Sequence, residues 1–138
     1  MTGIYVAVAA LLLATVFGLI WRRRNGVLRV RKDDDVERLD AAELGTGLGD
    51  RATLVQFSSA FCAPCRATRR VLGEVAGMVE GVVHVELDAE ANLDLVRRLN
   101  VLRTPTVLVL DASGRIVRRG AGLPRKADII AAVGEAVA

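Results

Sequence analysis

Residues Ile4 to Trp21, IYVAVAALLLATVFGLIW, form a run without charge or proline. Wound as a helix, the run would be about 27 Å long, close to the hydrocarbon thickness of a bilayer. A cleaved secretory signal needs a positive region before the apolar stretch and a small-residue cleavage site after it, whereas here Arg22 follows directly. A buried core helix is the competing reading, and an uncapped apolar N-terminal run followed by three arginines argues against it. The sequence therefore predicts an uncleaved anchor over residues 1–21 that crosses a cell membrane once, with Trp21 at the interface.

Charge asymmetry sets the expected orientation. Arg22, Arg23, Arg24, Arg29, Arg31 and Lys32 lie just after the span, and only the terminal amine precedes it. Cytoplasmic segments carry the excess of basic residues, and the acidic run Asp33, Asp34, Asp35 counts little against them. The soluble part is expected on the cytoplasmic side, with the extracytoplasmic side as the alternative. The two differ chemically, because a cytoplasmic thiol meets a reducing pool and an outward-facing one needs electrons delivered across the membrane.

With 138 residues, the chain has room for one domain and a small appendage, since domains commonly run to roughly 100–150 residues. Its net charge of +3 is supplied by Arg22, Arg23 and Arg24 alone, leaving 16 basic and 16 acidic residues elsewhere. One Trp, one Tyr and three Phe do not make the basic, aromatic-interleaved stripe that nucleic acid requires, so that partner class is set aside.

Residues 22–38 read as a charged connector in which 27–30 are either loop or a short edge strand; residues 39–138 read as one domain. Asp40 precedes AAEL, with Glu43 three residues on, a capping box that opens a short helix ended by GTGLG. Thr53 to Phe57 is β-prone, SSAF leads to Cys62, and the next segment carries Val71, Val75, Met78 and Val79 at helical spacing. Val82 to Leu87 predicts a second strand, and Asn92 to Asn100 a helix with Leu95, Val96 and Leu99 on one face. This alternation marks a βαβ unit with parallel strands. Beyond Thr104-Pro105, Thr106 to Leu110 predicts a third strand, DASG a turn, and Arg115 to Arg119 an antiparallel partner. Pro124 opens the last predicted helix, whose Ile129, Ile130 and Val133 are expected to cover one sheet face. The expected class is α/β, a three-layer αβα sandwich on a mixed sheet.

Cys62 and Cys65 are the chain's two cysteines, separated by Ala63 and Pro64 at the join of strand and helix. In the first turn of a helix, positions i and i+3 share a face, so sulfurs there can close a disulfide without backbone movement. Cys62 meets unpaired backbone N–H groups and the positive end of the helix dipole, which favour its thiolate and make it the expected nucleophile. Pro64, with fixed φ and no N–H, suits the first turn and stiffens the loop between the sulfurs. Two other uses of the pair compete. Zinc needs four ligands, and His84 is the sole histidine. A structural disulfide closing so small a loop restrains little of the unfolded chain. Redox chemistry is the expectation, with no metal and no cofactor.

Across roughly Val27 to Ala138 the sequence resembles the thioredoxin superfamily, through the strand TLVQF, the motif FCAPC and the segment RTPTVLVL. The resemblance implies that Thr104-Pro105 is a cis-proline turn facing the cysteines, where a substrate backbone docks as an added strand. Read without it, Pro105 is equally a trans turn residue. The resemblance also implies that Cys62 attacks a substrate disulfide and Cys65 resolves the mixed disulfide. Thioredoxins typically carry a buried aspartate six residues before the first cysteine, where this chain has Gln56, which cannot titrate. The usual tryptophan before the motif is Phe61 here, and a second, four positions before Cys62, is Ser58. Reactivity is expected to differ from a housekeeping thioredoxin.

His84, within VVHVELD, stands where the family has a buried strand lysine. Two readings stay open: a base for Cys65, directly or through water, or a partly exposed strand histidine sharing its face with Glu86. Arg66, Arg69 and Arg70 either lower the Cys62 pKa and attract acidic partners, or form a solvated helix face. The expected function is a membrane-tethered thiol-disulfide oxidoreductase working as a reductase. Its expected partners are disulfide-containing proteins and an electron donor such as a thioredoxin reductase or a membrane thiol transporter. The alternative is a thioredoxin-fold adaptor or metal-transfer module at the membrane.

Overall fold

The computed structural model describes residues 1–24, the backbone of 29–30, and residues 38–138. Helix α1 spans Thr2–Arg24, has mean hydropathy 2.4 over its most apolar window, and buries none of its residues. It is long and apolar enough to cross a bilayer. The helix runs three residues past Trp21, since arginine is a good helix former and positive charge is favourable at a helix C-terminus.

Strand β1, Arg29–Val30, is a two-residue edge piece; Val27 and Leu28 of the expected strand, and the connector residues 31–37, lie outside the described residues. Helix α2, Ala41–Leu44, has the capping box: Asp40 Oδ1 accepts from Glu43 N at 2.8 Å, and Glu43 Oε2 accepts from Asp40 N at 3.0 Å. Then follow β2 (Ala52–Ser58), α3 (Ala63–Met78), β3 (Val82–Asp88), α4 (Leu93–Arg98), β4 (Thr106–Asp111), β5 (Ile116–Ala121) and α5 (Lys126–Ala136).

The strands form one mixed sheet in the order β1-β5-β4-β2-β3. β2 and β3 are parallel, with Gln56 opposite Glu86, while β4 runs antiparallel to both β2 and β5, and β1 antiparallel to β5. Alternation along β2 sends Leu54 into one core with Leu72, Val75, Val107, Val109, Ile129 and Val133. Val55 and Phe57 enter the other, with Leu39, Leu44, Leu95, Leu99, Leu108 and Leu110. Helices α3 and α5 thus cover one face and α2 and α4 the other, giving the three-layer αβα sandwich. At the turn before β5, Gly114 has φ +85°, and a Cβ there would lie 2.1 Å from the Leu39 carbonyl oxygen. Only glycine lets the two backbones approach this closely.

Three local expectations are corrected. The face of α3 that packs on the sheet carries Cys65, Thr68, Leu72 and Val75, and Met78 is 61% exposed. Helix α5 starts at Lys126 rather than Pro124, and its buried residues are Ile129, Ala132, Val133 and Ala136, with Ile130 on the outer side. Strand β5 is Ile116–Ala121, one residue later at its start and two at its end than the apolar pattern suggested.

The packing of α3 distinguishes Leu72 from Met78. Leu72→Ala should destabilise the domain by about 3 kcal/mol, as a filled core position emptied to a cavity does. Met78→Ala should stay within about 0.5 kcal/mol. Denaturant unfolding midpoints of the two variants compare them directly, and equal losses would contradict this packing.

Candidate active site

β2 ends at Ser58 and α3 begins at Ala63, so Ser59 to Cys62 make the turn between them. Cys62 is the N-cap of α3 in an extended conformation (φ −103°, ψ 98°), with Pro64 in the first turn and no side-chain cap. Pro64 has no N–H to offer and the Cys65 N–H donates to the Cys62 carbonyl at 3.3 Å, so what Cys62 meets at this uncapped helix end is the positive end of the helix dipole.

Cys62 and Cys65 are joined as a disulfide with Cα atoms 5.3 Å apart. Their surroundings differ. Cys65 is 2% exposed beneath the helix, whereas Cys62 is half-buried at the rim, and Phe61 beside it is fully exposed. An approaching partner meets the first sulfur and not the second.

The Thr104–Pro105 peptide is cis. Ser59 and Thr104 share a hydrogen bond between their hydroxyls at 3.1 Å, which ties this turn to the loop carrying the cysteines. The Gly122 N–H donates to the Pro105 carbonyl at 2.8 Å. From below, Arg119 donates to the carbonyls of Leu99 and Asn100, holding the segment that leads to Thr104.

Gln56 is fully buried, and its Nε2 donates to the Cys65 carbonyl at 2.9 Å. Its Oε1 lies 3.1 Å from His84 Nε2. Burial pushes the His84 pKa below its ordinary value, with the Glu86 charge opposing and Arg69 reinforcing that shift. On the same side of β3, Glu86 receives Arg69 through two nitrogens, at 2.5 and 2.6 Å, and the Ser58 hydroxyl at 3.1 Å. The Arg69 bond holds the Glu86 carboxyl below the usual carboxylate range. Arg69 is thereby turned onto β3, and this ion pair lines, together with Arg66, Ser58, Ser59 and Asp88, a polar depression beside the disulfide.

The Ser59–Thr104 and Ser58–Glu86–Arg69 contacts were not read from the sequence. Their partners are 17 to 45 residues apart. The one available signal was strand register: with Gln56 opposite Glu86, positions 56, 84 and 86 share the face that α3 covers.

The Thioredoxin family model matches residues 38–135. A thioredoxin of Alicyclobacillus acidocaldarius subsp. acidocaldarius is 33% identical over 79 residues, covering 56% of this chain and 74% of that protein. The bifunctional thioredoxin reductase/thioredoxin of Mycobacterium leprae and thioredoxin domain-containing protein 2 of Mus musculus are each 30% identical over 82 residues. Those matches take in 59% of this chain but only 18% and 15% of the two proteins, so the chain spans a small part of their length. Among solved structures, chloroplastic thioredoxin z superposes with a TM-score of 0.59 at 25% identity, over 76% of this chain and 96% of that one. Spinach chloroplast thioredoxin f gives 0.56 at 21%, over 65% and 80%. With the family matched over most of its length and a bridged cysteine pair at the head of α3, the chain belongs to the thioredoxin family.

Proposed function

We propose that this chain is a membrane-tethered protein thiol-disulfide oxidoreductase, with residues 1–21 as anchor, 22–38 as linker and 39–138 as the redox domain. The observation that carries the reading is the asymmetry of the pair: an accessible sulfur at a helix N-terminus, bridged to a buried one within the same turn. In the reduced protein the Cys62 thiolate attacks one sulfur of a substrate disulfide, forming a mixed disulfide and releasing the other sulfur as thiolate. The Cys65 thiolate then attacks the Cys62 sulfur, which frees the second substrate thiol and restores the Cys62–Cys65 bridge. Two electrons pass to the substrate, and a donor such as a thioredoxin reductase or a membrane thiol transporter returns them.

The cis Thr104–Pro105 turn is tied to the cysteine loop through the Ser59–Thr104 hydrogen bond, and the exposed Phe61 precedes the accessible sulfur; a substrate strand docks there through its main chain. Pro64 keeps the loop between the sulfurs short and stiff. The basic residues Arg22, Arg23 and Arg24 at the end of α1 support a single-pass arrangement in the cell membrane with the domain in the cytoplasm. A cytoplasmic domain meets a reducing thiol pool, which favours the reductase direction.

Two outcomes are expected. The full chain in detergent micelles should reduce insulin disulfides with turnover, and Cys62→Ser should abolish it; equal rates in both proteins would leave a tethered adaptor. In intact cells, a membrane-impermeant thiol reagent should leave both cysteines unlabelled until the cells are permeabilised. Labelling before permeabilisation would place the domain outside.

A further inference from the structure

A hydrogen-bond chain, buried at Gln56 and Cys65 and half-buried at His84, links β3 to Cys65. The Cys65 carbonyl can only accept, so its partner at 2.9 Å is the amide nitrogen of Gln56. That fixes the orientation of the amide and leaves Oε1, also an acceptor only, facing His84 Nε2 at 3.1 Å. A hydrogen must then sit on His84 Nε2, and the neutral ring carries its lone pair on Nδ1, the nitrogen not directed at Gln56. An amide neither takes up nor releases a proton in the range where thiols titrate. The chain from Cys65 through Gln56 to His84 therefore carries orientation and no proton.

We infer that His84 and Gln56 act as positioning residues for the resolving step: the imidazole N–H orients the Gln56 amide, and the amide holds the Cys65 carbonyl so that its buried sulfur stays within reach of Cys62. The inference rests on the exchange reading above and assigns the second half of that exchange. The hold survives titration of the ring, because Nε2 keeps its hydrogen whether His84 is neutral or charged. The charged groups facing the ring are Glu86 on β3 and Arg69 on α3, which are paired with each other, while β2 contributes the uncharged Gln56. Gln56 is fully buried, so removing its donor strands Oε1 without a partner and frees the amide to turn.

The test uses the reduced full chain in detergent micelles, mixed in a stopped-flow instrument with an equimolar amount of dithiobisnitrobenzoate. The first thiolate appears when Cys62 opens the reagent disulfide and takes one half of it. The second appears when Cys65 displaces that half from Cys62 and closes the Cys62–Cys65 bond. His84→Leu should slow the second phase about tenfold, the scale of a buried acceptor left unpaired, and leave the first phase unaltered. His84→Gln, which keeps an N–H donor but cannot titrate near neutrality, should restore the second phase to within about twofold, with the wild-type pH midpoint. If His84→Gln is as slow as His84→Leu and loses the acidic limb of the pH profile, the ring is a base and the inference is overturned. An unaltered second phase in His84→Leu overturns it as well. Absence of the first phase in the wild-type protein would instead bring down the exchange reading, and the inference with it.

Discussion

Strand β2 is paired along its length to β3 on one side and β4 on the other, and each of its seven residues is buried. A strand in that position has no water to satisfy its polar groups, so each must find a partner inside the protein. Thr53 accepts from the Gly49 N–H, Gln56 joins Cys65 to His84, and Ser58 donates to Glu86. Among the described residues no buried side-chain nitrogen or oxygen is left unpartnered. The last two of these β2 bonds reach directly into the redox site. Holding this interior strand and holding the cysteine turn are one and the same constraint.

From that constraint the division of labour between the sulfurs follows. β2 delivers the chain to the head of α3, where Cys62 stands at the helix N-terminus and Cys65 lies one turn further in, against the sheet. The positive end of the helix dipole favours charge at the first position, and burial screens the second from solvent and from large partners. Arg69 contributes little to this asymmetry, since its guanidinium is engaged by Glu86. Arg66 lines the same polar depression beside the disulfide.

The element order, the parallel βαβ unit and the cysteine turn were legible because each rests on local pattern: a β-prone run, a motif, a helical period. What the pattern misjudged was rotation about a helix axis. Val71, Val75, Met78 and Val79 fit one helical stripe, but the burial of Cys65 and Thr68 turns α3 so that Leu72 faces in and Met78 out. Ile130 is apolar and outward in the same way, its inner neighbours being the small Ala132 and Ala136. Gln56 was recognisable as a departure from an expected aspartate. Its role as a link between Cys65 and His84 depends on the pairing of two strands 28 residues apart, which no local window contains.

The central claim is that the Cys62 sulfur is an activated, accessible thiolate while Cys65 is shielded. It is tested most directly by the pH dependence of iodoacetamide alkylation of the reduced protein, with the modified cysteine assigned by mass spectrometry. The account predicts that Cys62 is modified first, with a midpoint well below the value of about 8.5 of an ordinary thiol. A midpoint at that ordinary value, or equal modification of both cysteines, would contradict it.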